Sequence, residues 1–256
     1  MIGRRSASIA VLASMLCACV GDGGSSIERT AMPVEGEPVV YVAIGASETA
    51  GVGTAEPFTE AWPKVLWRNA LPEAVLYDLG RPGSTVAEAL VEQAGEAVAL
   101  DPDVVTVWLN VNDLVDRVPI EAYGRGLRAL LSSIGRTGAV VLVANTPRLD
   151  TLPAFLACRP DPPAAAPACP APELGTLRSA DVRAAVAAYN RTIERAAAET
   201  GAIVVDLESY GDAPSDHPEW ISGDGFHPSA EGAAAIARAF EDALPVDIKA
   251  AASQPR

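Results

Sequence analysis

The sequence predicts an α/β domain of three layers, helix on sheet on helix, built around a five-stranded parallel sheet. Three observations predict it. Five short runs are continuously apolar, as strands are when both faces of a parallel sheet are covered. Segments of helical pattern separate them, and that alternation makes parallel crossovers. Small and polar residues gather just past the runs, where open parallel sheets bind their ligands.

The first run is PVVYVAIG, residues 38–45, rich in β-branched residues and ended by glycine. An amphipathic EAWPKVLWRNAL (60–71) follows, then a second run, AVLYDLG (74–80). STVAEALVEQAGEAVAL (84–100) reads as a helix. The third run is DVVTVWLN (103–110), followed by the helical EAYGRGLRALLSSIG (121–135) and the fourth run, AVVLVAN (139–145). A long helix, residues 179–201, stops at Gly201 and leads to the fifth run, AIVVDLE (202–208). The last helix spans about Ser229 to Leu244, which leaves 247–256 as a tail. The pattern defines one domain, residues 38–246, expected to be a monomer.

Composition narrows the partners. The 256 residues carry 19 Lys and Arg against 33 Asp and Glu, a formal charge of -14. Nucleic-acid binding draws affinity from clustered cations that release counterions, so an acidic chain with scattered bases argues against such a partner. Residues 1–18 differ from the rest: Arg4 and Arg5, an apolar run from about Ala7 to Ala18, then small residues. That is a secretory signal peptide, too short to span a bilayer. Its end, LCAC, resembles a lipobox with Cys19 as the lipidated N-terminal residue. Residues 19–37, rich in Gly, Ser and acids, read as a flexible tether. The protein is therefore expected to be exported and anchored to the membrane by lipid. In such a compartment, Cys158 and Cys169, with ten residues between them in the Pro-rich stretch 146–178, are expected to form a disulfide. A metal site would need histidines or further cysteines that the stretch lacks, so no metal and no cofactor is expected.

Four strand ends carry the chemistry. GASETAG follows the first, GRPGST the second and NVNDL the third, and SGDGFHPSAEG lies beyond the fifth. A serine hydroxyl needs a base, the base needs an acid to fix its tautomer, and the oxyanion needs donors. Ser47, His227 and Asp224 supply the first three roles; Gly225 permits the turn that lets carboxylate and imidazole meet. The backbone N–H groups of Ser47 and Gly83, with the Asn112 amide, could form an oxyanion hole. His217, in SDHPEW, is a competing base, but its acid is immediately adjacent, where side chains diverge. Asp113 reads as a helix-start acid and Arg81 as a loose candidate for anion binding. A phosphate cradle at GASETAGVG is the other class of reading; it lacks the Lys of a P-loop and leaves Asn112 and His227 without purpose.

These blocks, GASETAG, LGRPGST, NVNDL and DGFHP, resemble those of the SGNH or GDSL hydrolases, esterases and lipases of flavodoxin-like fold, over nearly the whole domain. The resemblance implies Ser47 as nucleophile, Gly83 and Asn112 in the oxyanion hole, Asp224 and His227 as partners, and a carboxylic ester as substrate. Two positions depart from it. The aspartate that usually precedes the serine is Ala46, and the glycine usually two residues before the asparagine is Asn110, expected to narrow the acyl pocket or contact substrate. Those departures keep alive a degenerate glycan- or lipid-binding surface protein, and acyl transfer to an alcohol in place of water is a third possibility.

Overall fold

The computed structural model describes residues 37–164, 166–170, 172–210 and 216–253. The expected signal peptide, Cys19 and all of the tether except Glu37 lie outside these residues. Five strands, β1 (Val40–Gly45), β2 (Val75–Asp78), β3 (Val104–Trp108), β4 (Val140–Ala144) and β5 (Ile203–Val205), form one sheet in the order β2-β1-β3-β4-β5. Every pairing is parallel.

Side chains alternate along the strands, so β1, β3, β4 and β5 each feed two cores, while β2 at the sheet edge leaves Val75 and Tyr77 exposed. Tyr41, Ala43, Val104, Trp108, Leu142 and Ala144 face one core, completed by Trp62 and Leu66 of α2 (Trp62–Ala70) and Phe240 of α9 (Ala230–Ala243). Trp62 stacks on Phe240 with ring centroids 4.3 Å apart. Val42, Ile44, Val105, Val107, Val141 and Val143 face the other, against α3 (Val86–Glu92), α4 (Ala94–Ala99), α6 (Ile120–Gly135) and α8 (Ser179–Thr200). Period-two alternation with both faces buried explains why the runs read as continuously apolar. Three short helices precede or punctuate these: α1 (Pro57–Glu60), α5 (Val111–Val115) and α7 (Pro153–Ala157).

Two expectations change. The helix expected over 84–100 is two helices meeting at Gln93, which is fully buried. Its amide leaves the helical surface to accept from Gly45 N–H and to donate to Gly45 C=O, both at 3.1 Å. That tertiary bond outweighs helical continuity. Residues 247–256, expected as a tail, begin in α10 (Val246–Ala251), whose Ile248 is fully buried; Glu73 N–H donates to Ala252 C=O. The chain therefore packs on the domain through Ala252.

Chain direction places the site. The connection from β1 leads to β2 on one side, whereas β3 lies on β1's other side. Crossovers leave β1 and β3 in opposite directions, and a crevice opens beyond their carboxyl ends. Ser47 follows β1 and Asn112 follows β3.

The stretch between β4 and α8 is closed by a disulfide between Cys158 and Cys169, Cα atoms 4.8 Å apart. Within the closed loop, Pro167 lies over Gly225: a Cβ built on that glycine would stand 2.8 Å from Pro167 Cγ. Replacing both cysteines by serine is expected to lower stability by about 3 kcal/mol through the entropy restored to the unfolded chain. Thermal unfolding of the double variant, which should match that of the reduced wild type, checks this.

Candidate active site

Ser47 sits in a tight turn, not at a helix start: Ala50 N–H donates to Ala46 C=O and Val52 N–H to Ser47 C=O, and the first helix after it begins only at Pro57. The turn is compact because Gly51 and Gly53 adopt positive φ, 83° and 100°. A Cβ at Gly53 would stand 2.7 Å from the His227 Cβ and 2.5 Å from Pro228 C=O. Only a residue without a side chain lets the loop after β1 lie this close to the segment before α9, and so the first and last blocks meet.

The last block is a short closed loop. Ile221 pairs with Pro228 in an isolated antiparallel bridge, and Ser222 N–H donates to His227 C=O. Gly225, at φ 77°, turns the chain, with Ala154 N–H donating to its carbonyl. Asp224 Oδ1 accepts from Ser222 Oγ and from the N–H groups of Phe226 and His227. Its other oxygen, Oδ2, lies 2.6 Å from His227 Nδ1. Partial burial pushes the Asp224 carboxyl up, but these hydrogen bonds, the imidazole first, outweigh it and hold the group at about 2. The acid is thus ionised across the neutral range and fixes the ring by one nitrogen, leaving Nε2 for other work.

His217 is occupied elsewhere. Its Nδ1 pairs with Glu219 at 2.9 Å and its ring stacks on Trp220, with half the side chain exposed.

The second and third blocks are knit together. Gly83 has φ 85°, in the turn where Ser84 N–H donates to Arg81 C=O. Asn112 Nδ2 donates to Ser84 C=O at 3.0 Å, and Gln93 Nε2 donates to Ser84 Oγ. Asp113 is buried and accepts from Val86 N–H at the start of α3. Burial pushes its carboxyl up to about 6, although the Val86 N–H favours the charged form. It acts as a helix-start acid. Arg81 pairs with Glu92 on the surface, both side chains about half exposed. Asn110 is buried, with Nδ2 donating to Ala144 C=O, so its amide joins β3 to β4; it is not among the residues that line the pocket described next.

Ser47 itself is 7% exposed, and its Oγ donates to Glu48 Oε2 at 3.2 Å. Among the described residues no hydrogen bond joins Ser47 to His227. Glu48, which sequence reasoning missed, is buried and lines an apolar pocket together with Trp108, Val111, Leu152, Phe226 and Ile236. Burial pushes the Glu48 carboxyl up, against a backbone hydrogen bond, the His227 imidazole and the Ser47 hydroxyl. That an acid follows Ser47 directly, in a stretch otherwise of small residues, was the signal available. No group of three or more His, Cys, Asp or Glu that could hold a metal ion occurs among the described residues.

Comparison with known proteins bears on this arrangement. A search of curated proteins finds no match. Among solved structures, TesA is similar at 15% identity, TM-score 0.61, over 80% of this chain and 97% of its own. The psychrotrophic esterase EstA from Pseudoalteromonas sp. is 17% identical, TM-score 0.58, over 80% and 95%. The acetyl xylan esterase AlAXEase is 15% identical, TM-score 0.58, over 81% and 100%. At these identities the likeness establishes the shared fold. The model of the GDSL-like lipase/acylhydrolase family matches residues 43–235, from within β1 to within α9, and so takes in all four blocks. The chain belongs to the GDSL-like lipase/acylhydrolase family and is a carboxylic ester hydrolase.

Proposed function

We propose that the hydrolase works through an acyl-enzyme on Ser47. The observation that carries this reading is the Asp224–His227 pair, packed against Gly53 of the Ser47 loop by contacts that tolerate no side chain on the glycine. Asp224, ionised, holds Nδ1 protonated and so presents Nε2 as an acceptor. Attack requires the Ser47 hydroxyl to exchange its hydrogen bond to Glu48 for one to that nitrogen; catalytic hydrogen bonds often form only with substrate bound. The Oγ–carbonyl carbon bond then forms, the proton passes to His227, and the ester C–O bond breaks as His227 returns the proton to the departing alcohol. Water, deprotonated by the same imidazole, releases the acid. The developing oxyanion would meet the backbone N–H groups of Ser47 and Gly83 and the Asn112 amide, whose second hydrogen is left over after its bond to Ser84.

The apolar wall of the pocket supports short acyl esters of sugars, lipids or small alcohols as substrates. We further propose that the protein acts as a monomer at the membrane surface outside the cytoplasm, tethered through Cys19; residues 1–37 of the sequence support the export and the tether. None of the helices among the described residues is long and apolar enough to cross a membrane.

A fluorophosphonate probe tests the nucleophile. It should label the wild-type domain stoichiometrically, and mass spectrometry should locate the label on the peptide containing residue 47. Labelling elsewhere, or none together with no turnover of p-nitrophenyl acetate and butyrate, would overturn the mechanism.

A further inference from the structure

Glu48 occupies an unusual position for an acid. It is buried, it lines a mainly apolar pocket whose other polar side chains include Arg148 and Tyr210, and one of its oxygens accepts the hydrogen of the Ser47 hydroxyl. If Ser47 becomes acylated, as proposed above, that hydrogen is gone: the serine oxygen is then an ester oxygen and has nothing to donate. Glu48 Oε2 would be left facing the acyl group without its donor. A buried acceptor stripped of its partner is costly, and a site built around such a group favours ligands that restore the bond.

Geometry says where the replacement must lie. The acyl α-carbon is two bonds from Ser47 Oγ and the β-carbon three, with bonds of about 1.5 Å. Glu48 Oε2 is 3.2 Å from the same oxygen. A hydroxyl on the α- or β-carbon would stand three or four bonds from Ser47 Oγ, close enough to take the place of the lost hydrogen at Oε2, whereas one farther along an extended chain would not. A second group on the same wall points to a hydroxyl in particular. Trp108 lines the pocket and buries an indole N–H that has no acceptor among the described residues. A hydroxyl both donates and accepts, so it matches in kind the two polar groups, an acceptor at Glu48 and a donor at Trp108, that this pocket offers. Burial of Glu48 favours its neutral form, and the carbonyl oxygen of a neutral carboxyl still accepts.

We infer that Glu48 is a specificity-determining residue, and that the hydrolase prefers esters of 2- or 3-hydroxy acids over those of the unsubstituted acids. This rests on the acyl-enzyme reading and adds the identity of the acyl group to it.

The test compares methyl butyrate, methyl 2-hydroxybutyrate and methyl 3-hydroxybutyrate by pH-stat. For at least one hydroxy ester, kcat/KM relative to methyl butyrate should exceed the same ratio for hydroxide-catalysed hydrolysis by about tenfold or more. In Glu48→Leu the enzymatic ratio should fall to that of hydroxide, and in Glu48→Gln, which keeps a carbonyl acceptor, most of the preference should remain. A wild-type ratio equal to the hydroxide ratio for both hydroxy esters overturns the inference without any variant. So does an undiminished preference in a Glu48→Leu protein whose serine still takes the fluorophosphonate label. Hydrolysis of methyl butyrate, lost in Ser47→Ala, reports separately on the ester-hydrolase mechanism, which stands or falls on its own result.

Discussion

Ser47→Ala is expected to lower kcat on p-nitrophenyl butyrate by about 10⁴ to 10⁶ while leaving the fold intact. The substitution removes one oxygen from a buried position between Ala46 and Glu48, an oxygen that among the described residues bonds only to Glu48. The backbone bonds that close the turn, from Ala50 to Ala46 and from Val52 to residue 47, use main-chain atoms that alanine retains. Melting temperature and circular dichroism should therefore be close to wild type. What disappears is the atom on which the acyl group would be carried, with Asp224, His227 and the oxyanion donors still in place. Those donors keep a small residual rate above that in water. Loss of only tenfold would mean that water, activated directly by His227 or by Glu48, is the attacking group.

The strands were legible because burial on both faces writes itself into the chain as uninterrupted apolar runs, and each lies inside the segment expected for it. Their ends were not so plain. The fifth run was read to residue 208, yet β5 stops at Val205, because Asp206 and Glu208 turn to Asn145 and Asn190. A strand end defined by side chains from two other elements leaves no local trace. The break at Gln93 is of the same kind, as its partner is 48 residues away. Sequence spacing brought Asp224 to His227 because a three-residue step around a glycine decides that contact locally. The relation of Ser47 to Glu48 depends instead on what covers the turn. On an open loop Glu48 would be solvated; here it is a buried acid on the wall of a pocket that Phe226 and Ile236 of α9 also line. The role of Ala46 follows a similar logic: with no acid before the serine, the apolar core on one face of the sheet extends to that residue.

Asp224→Asn separates catalysis from folding in the same loop. The isosteric amide can keep Oδ1 accepting from Ser222 Oγ and from the Phe226 and His227 N–H groups, so the loop should hold its shape. That choice turns the new NH₂ toward His227 Nδ1, where the carboxylate oxygen stood at 2.6 Å. A donor facing Nδ1 makes that nitrogen the acceptor, and the neutral ring must then carry its hydrogen on Nε2, the atom required as base. The expected loss in kcat is about 10⁴ at neutral pH, with KM changed little. Stability provides an independent reading. The folded carboxyl titrates near 2, below its ordinary value of 3.8, so its stabilising contribution is complete above 3.8 and disappears as pH falls through 2. Asparagine does not titrate. Over that acid window the wild type should therefore lose more stability than the variant, a difference seen as converging melting temperatures, whereas above pH 5 the two curves should run parallel. If kcat fell without this convergence, the aspartate would act on the imidazole without sharing its charge with the fold; if the curves converged and kcat held, the tautomer of His227 would not matter to the reaction, and a base other than this imidazole would have to be drawing the proton from Ser47.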